Sequence, residues 1–234
     1  MLLAEAVTKK FKRPVLKNLY LNALGGEMVG IDGENGSGKS TLLSILTGAL
    51  GPDSGSVTLE GFDVQKNPRT LAKLTGFVPQ ENTLFANLSA LDNMKLWTSA
   101  YGANWKDALP FLFPEGDESE MRDFLKKKTH KLSGGMKKRL SIAVSLAHDP
   151  RYLIMDEPSA GLDIGFRDGL LKTMAEFKKR GGCVVFTSHQ PDELRRCDRI
   201  YVLRGGSFVY EGTPQNLGAG DGFAEALTHA VCGS

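Results

Sequence analysis

Apolar positions fall into short unbroken runs and helical stripes. Met28-Val29-Gly30-Ile31 reads as a short strand, and Arg151 to Met155 and Cys183 to Thr187 are apolar runs of strand length without alternation, the pattern of strands covered on both faces. After the first run, Leu42, Leu43, Ile45 and Leu46 recur at helical spacing. Between the second and third, Phe166, Leu170, Met174 and Phe177 share one helical face, which ends at Lys178-Lys179-Arg180 and Gly181-Gly182 as a crossover helix should. Strands joined through such helices predict a mainly parallel sheet with helices on its faces. Arg199 to Leu203 and Ser207 to Tyr210 flank Arg204-Gly205-Gly206, which predicts an antiparallel hairpin rather than more parallel sheet. Leu2 to Leu24 favours short strands. From about Glu81 to Lys131 the pattern changes: Phe85, Leu88, Leu91, Met94, Leu96 and Trp97 predict helices, interrupted near Pro110 and Pro114, that form a small lobe inserted into an α/β core. Lys126-Lys127-Lys128 predicts a solvated helix face.

Composition narrows the class without changing this layout. A chain of 234 residues, 41% hydrophobic and 24% charged, suits one large domain or two small lobes and can bury a sizeable core. A net charge of +2 is too small to hold nucleic acid or an anionic membrane by field alone, so no nucleic-acid partner is expected. No apolar run approaches the ~20 residues of a membrane helix. Met1-Leu2-Leu3-Ala4-Glu5 lacks the basic region and apolar core of a secretion signal, from which a cytoplasmic location is expected. Cys183, Cys197 and Cys232 are odd in number and include no CxxC pair, which predicts inert thiols in or near a core rather than disulfides or a zinc site. Glycine, 27 of 234, is the unusual count, and it clusters where backbones must turn or approach something closely.

The first cluster carries chemistry. Gly33-Glu34-Asn35-Gly36-Ser37-Gly38-Lys39-Ser40-Thr41 fits G-x-x-x-x-G-K-[ST] between a predicted strand and a predicted helix. Successive N–H groups in such a loop ring a polyphosphate, the helix turns its positive end toward it, Lys39 reaches the terminal phosphates and Ser40 offers oxygen to Mg2+. The strand ending at Met155 runs into Asp156-Glu157-Pro158. On the same sheet edge as a phosphate loop, Asp156 is expected in the magnesium shell and Glu157 as the general base that polarises attacking water.

Leu132-Ser133-Gly134-Gly135-Met136 precedes a helix with Leu140, Ala143, Val144 and Ala147 on one face, and this resembles the signature motif of ATP-binding-cassette (ABC) ATPases. With the phosphate loop, Gln80, Tyr152 to Pro158, Ser159-Ala160-Gly161-Leu162-Asp163 and His189 in family order, the resemblance spans roughly Leu2 to Gly212. It implies one ABC ATPase domain over 1–234. Residues 1–80 and 132–212 would form a P-loop ATP-binding core with a mainly parallel sheet and an antiparallel β subdomain, 81–131 a helical lobe leading into the signature, and 213–234 a tail. It implies that Gln80 senses magnesium and water, that His189 contacts the γ-phosphate, and that Phe11 stacks on adenine. Ser133, Gly134 and Gly135 would act on ATP held by a second cassette packed head to tail. Met136 stands where the family usually has Gln.

The expected function is that of an ATP-binding, ATP-hydrolysing motor. Its expected partners are a second cassette and separate transmembrane permease subunits, at the cytoplasmic face of a membrane, with ATP and Mg2+ as cofactors. Ser133 to Leu140 is similar to multidrug and ABC-2 type exporters, which favours efflux. An importer motor and a soluble iron–sulfur assembly ATPase are the alternatives.

Overall fold

The computed structural model describes residues 1–81, 83–113, 118–218, 220 and 222–233. In chain order the strands are β1 (Leu2–Lys10), β2 (Pro14–Ala23), β3 (Met28–Gly33), β4 (Ser54–Leu59), β5 (Phe62–Asp63), β6 (Thr75–Val78), β7 (Tyr152–Met155), β8 (Cys183–Thr187), β9 (Arg199–Arg204) and β10 (Ser207–Gly212). The helices are α1 (Lys39–Leu46), α2 (Pro68–Leu74), α3 (Ala90–Ala100), α4 (Leu109–Leu112), α5 (Glu118–Lys126), α6 (Gly134–Leu146), α7 (Ile164–Lys179), α8 (Pro191–Leu194), α9 (Pro214–Leu217) and α10 (Gly222–Cys232).

Two sheets result, one antiparallel in the order β2-β1-β4-β5 and one mainly parallel in the order β10-β9-β3-β8-β7-β6. Every residue of β3, β7 and β8 is buried, as their unbroken apolar runs require of strands covered on both faces. Leu42, Leu43, Ile45 and Leu46 of α1 pack between the two sheets with Leu2, Leu16, Ile31 and Ile154. Across the parallel sheet, Leu170, Met174 and Phe177 of α7 meet Leu153, Val184 and Phe186, and Phe223 and Leu227 of α10 close that face. Helix α6 belongs to two cores. Ile142 and Leu146 face the parallel sheet, while Leu140, Ala143, Val144 and Ala147 pack with Met94, Leu112 and Phe124 of α3, α4 and α5.

Four local expectations are corrected. Strand β9 runs parallel beside β3, with Gly30 opposite Ile200, and only β10 turns antiparallel against it. The reason is burial: Ile200 to Leu203 are covered on both faces and belong inside the sheet, whereas β10 is half exposed and takes the edge. Strands β1 and β2 are 9 and 10 residues long rather than short, because β1 has a partner on each side. Pro110 sits in the first turn of α4, where its missing N–H costs nothing, so it opens a helix instead of interrupting one. Pro114 lies outside the described residues. Cys183 and Cys197 are buried, but Cys232 is exposed at the end of α10.

Candidate functional site

The C-terminal ends of β3, β7 and β8 converge on one edge, and the sequence-predicted site residues gather there. β3 delivers Gly33, and the loop to α1 has Gly33, Gly36 and Gly38 at φ of 154°, 80° and 109°. A Cβ at Gly33 would run into the Leu203 carbonyl, and one at Gly38 into Leu16, so backbone passes here where no side chain fits. Gly38 gives α1 no side-chain cap, which leaves its first-turn N–H donors open to an anion. Ser37 Oγ is buried without a partner beside them. Glu34, Asn35 and Ser40 are exposed on this loop and Thr41 is half-buried. Lys39 is buried, and its Nζ donates to Gly33 O at 2.6 Å, Glu34 O at 3.2 Å and His189 Nε2 at 3.0 Å. Burial pulls the Lys39 ammonium below the ordinary lysine value, opposed by the charges of Glu157, Asp32 and Asp156.

From β7, Asp156 stays buried and Glu157 turns out through a left-handed φ of 44°, strained backbone for a residue with a side chain. Thr187, at the end of β8, ties the pair together: its hydroxyl donates to Asp156 Oδ1 at 2.7 Å and accepts from the Glu157 amide at 2.8 Å. Gln80 Nε2 donates to Glu157 Oε2 at 3.1 Å. His189 Nε2 lies 3.4 Å from Glu157 Oε1, while His189 Nδ1 is 3.0 Å from Asp32 Oδ1. A cavity of about 210 Å³ opens here, lined among others by Glu157, Ser159, Gly161 and His189.

Phe11, Ser133, Gly134 and Gly135 do not join this cluster. Phe11 is 57% exposed at the turn between β1 and β2, which removes a core role for its ring. Ser133 is exposed and caps α6, its Oγ accepting from the Met136 amide at 3.2 Å. Nothing lies within 4 Å of a Cβ built on Gly134, and Gly135 has only Leu162 and Phe166 nearby. Met136 packs against the apolar core of the helical lobe, which accounts for an apolar side chain there.

Four positions escaped the sequence reading. Asp32, the single carboxylate in an apolar strand, is detectable as such; Thr187 carries no signal apart from its strand-end place. Lys138 is buried, and its Nζ donates to Pro79 O at 3.0 Å and Gln80 O at 3.1 Å, holding the loop that presents Gln80. Burial also draws Lys138 below the usual lysine value, against the pull of Asp156 and Glu157. Glu193 is 1% exposed, and its carboxylate receives Arg167 Nε at 2.7 Å and the Ser188 hydroxyl at 2.6 Å, one residue before His189.

The profile of the family described as ABC transporter matches residues 16–160. The linearmycin resistance ATP-binding protein LnrL of Bacillus subtilis is 34% identical over 219 residues, 93% of this chain and 70% of that protein. The chain belongs to the ABC transporter family. The Nod factor export ATP-binding protein I of Rhizobium etli is 32% identical over 88% of this chain and 65% of its own length. A dimeric structure of the ATP-binding cassette MJ0796 in a post-hydrolysis state, bound to ADP and Pi, aligns with a TM-score of 0.83 at 30% identity, covering 91% of this chain and 98% of that one. The two sheets and the helices are therefore those of an ABC ATPase cassette.

Proposed function

We propose that this chain is the ATP-hydrolysing motor of an exporter, and that its site residues act as the family pattern implies. The observation that carries this reading is one connected set of contacts, Gln80 to Glu157 to His189 to Lys39, lying at the mouth of an uncapped, glycine-lined helix start. The loop Gly33 to Thr41 cradles the phosphates of ATP through backbone N–H groups, with Lys39 leaving Gly33 O and Glu34 O for phosphate oxygens. Phe11, exposed at its turn, offers a face to adenine. Glu157 orients and deprotonates the attacking water, Gln80 holds Glu157, and His189 meets the terminal phosphate.

The donor set suits magnesium, since Ser40, Asp156 and Gln80 offer hard oxygens and too few to form a cage, which fits an ion that keeps waters and shares substrate phosphates. When bound, Mg2+ neutralises charge on the phosphates.

Ser133, Gly134 and Gly135 sit away from their own chain's cluster at an exposed, glycine-flanked helix start, and complete the pocket of a second cassette. The dimeric form of the MJ0796 cassette supports the pairing of two cassettes, and we infer that they meet head to tail. Among the described residues no helix is long and apolar enough to cross a membrane. On this reading the chain drives separate transmembrane permease subunits from the cytoplasmic face, as the ATP-binding proteins it resembles are named for export. A groove of about 260 Å³ that follows Gln80 is lined by Pro79, Thr83, Leu84, Trp97 and Tyr101, and suits such a subunit. There Trp97 Nε1 is buried without a partner, while Phe85 stacks on the Trp97 ring at 6.0 Å and stays 51% exposed. Residues 81–131 serve as the lobe that meets the membrane subunit, 1–80 and 132–212 as the ATP core, and 213–234 as a tail. Efflux is favoured because a relative is named for Nod factor export.

Glu157→Gln tests the mechanism: ATP affinity is retained while turnover falls at least ~10²-fold, the scale of lost general-base catalysis. Turnover equal to the unmodified chain removes Glu157 from its role. Affinity purification in mild detergent then identifies the membrane polypeptide, and recovery with cytosolic partners alone refutes the transport assignment.

A further inference from the structure

Asp32 is 4% exposed inside a strand whose other residues are apolar or glycine. A buried carboxylate is costly unless its oxygens are bonded, and the bonds recorded here all fall on one oxygen. Asp32 Oδ1 accepts from the Gly33 amide at 2.7 Å and lies 3.0 Å from His189 Nδ1. The contact at the opposite ring nitrogen is compatible with a proton on Nδ1: an ammonium has only N–H to give, so with Lys39 charged and the ring neutral, His189 Nε2, 3.0 Å from Lys39 Nζ, is the acceptor and the ring proton falls on Nδ1. That N–H points at Asp32. The charged groups facing the ring are Asp32 from β3, Lys39 from α1 and Glu157 from beyond β7; Glu193 of α8 is committed to Arg167 and Ser188.

We propose that Asp32 is a positioning residue that holds His189 as its Nδ1–H tautomer, so that the Nε2 edge faces Lys39 and Glu157 and hence the terminal phosphate. This rests on the reading of His189 as the residue that meets that phosphate. An imidazole anchored at Nδ1 presents one defined edge to the site, whereas an unanchored ring at a 36% exposed position can flip or exchange tautomers. The role is distinct from that of Glu157, which approaches the other nitrogen at 3.4 Å.

The test uses the full chain without nucleotide, labelled with ¹⁵N-histidine. The chain has four histidines, and the His189 ring resonances are assigned by their loss in His189→Ala. The expected spectrum has a protonated Nδ1 and an unprotonated Nε2. Asp32→Leu moves the ring toward the Nε2–H form, and Asp32→Asn, which keeps an acceptor oxygen in place, does not. In steady-state hydrolysis Asp32→Leu loses roughly ten-fold in kcat with KM for ATP within about two-fold, while Asp32→Asn stays within about three-fold of the unmodified chain, since orientation is lost in one and kept in the other. An Nε2–H ring in the unmodified protein overturns the proposal by itself, even if Asp32→Leu fails to fold. So does an Asp32→Leu spectrum that matches the unmodified one, or a changed tautomer with unchanged kcat. A chain that hydrolyses no ATP at all refutes the motor reading instead, and the ring spectrum still decides whether Asp32 sets the tautomer.

Discussion

Lys39 shows how much one residue's surroundings add to its motif. The pattern G-x-x-x-x-G-K-[ST] marks it as a phosphate ligand, and the structure adds that its ammonium is buried against two carbonyls and an imidazole nitrogen. Without nucleotide it already props the loop, so removing it acts on both states. Lys39→Ala is expected to weaken ATP binding at least ~10-fold, because a charge-assisted contact in a desolvated site disappears. Calorimetric titration checks this, and an unchanged affinity contradicts the assignment. Phe11, Lys39, Asp156 and Glu157 were all identifiable as residues, but the hydroxyl of Thr187 joining two of them was not. Thr187 is 31 positions from Asp156, and a cross-strand hydrogen bond leaves no mark on local spacing.

At the scale of elements, the segment after β8 that carries His189 is pinned to the helix that follows Ser159 to Asp163. Helix α7 brings Arg167 onto Glu193 of α8, and Glu193 in turn holds Ser188. Arg167→Ala strands a carboxylate that is 1% exposed, and is expected to cost about 3 kcal/mol, as breaking a buried pair does. Adding Glu193→Gln to it should recover part of the loss, since the stranded charge goes too. Urea unfolding of the single and double variants checks both statements; an Arg167→Ala chain as stable as the original contradicts the pair's role. The elements themselves were largely legible. Runs of buried strand and the stripe on α7 are local patterns, whereas the placement of β9 inside the parallel sheet depends on which face its apolar residues find covered.

Over the whole molecule, α6 ties together the two halves of the proposed mechanism. Its N-terminus presents Ser133 and Gly134 outward, one side packs in the helical lobe and the other against the sheet, and Lys138 grips the backbone at Gln80. Whatever docks on the exposed end is linked by a single helix to the loop beside Glu157. Head-to-tail pairing makes a specific demand on mixtures. Lys39→Ala spoils the phosphate loop and Ser133→Arg the opposing tip, so each alone should be inactive. Mixed in equal amounts, half the dimers are hybrids with one intact pocket, and hydrolysis should return to roughly a quarter of the unmodified rate if the pockets act independently. A mixture as inactive as its components argues against sharing of the pocket between chains.

What the residues alone determined is everything that depends on short-range pattern: the strand, loop and helix around Lys39, the acidic pair after Met155, the glycine-flanked cap at Ser133, and through their order the family. What the tertiary structure decided is which of these meet. Asp32, Lys138 and Glu193 each have a long-range partner, 157, 59 and 26 positions away. A buried charge becomes meaningful only when the fold has chosen what lies against it, because its solvation is lost first and only particular neighbours can replace it.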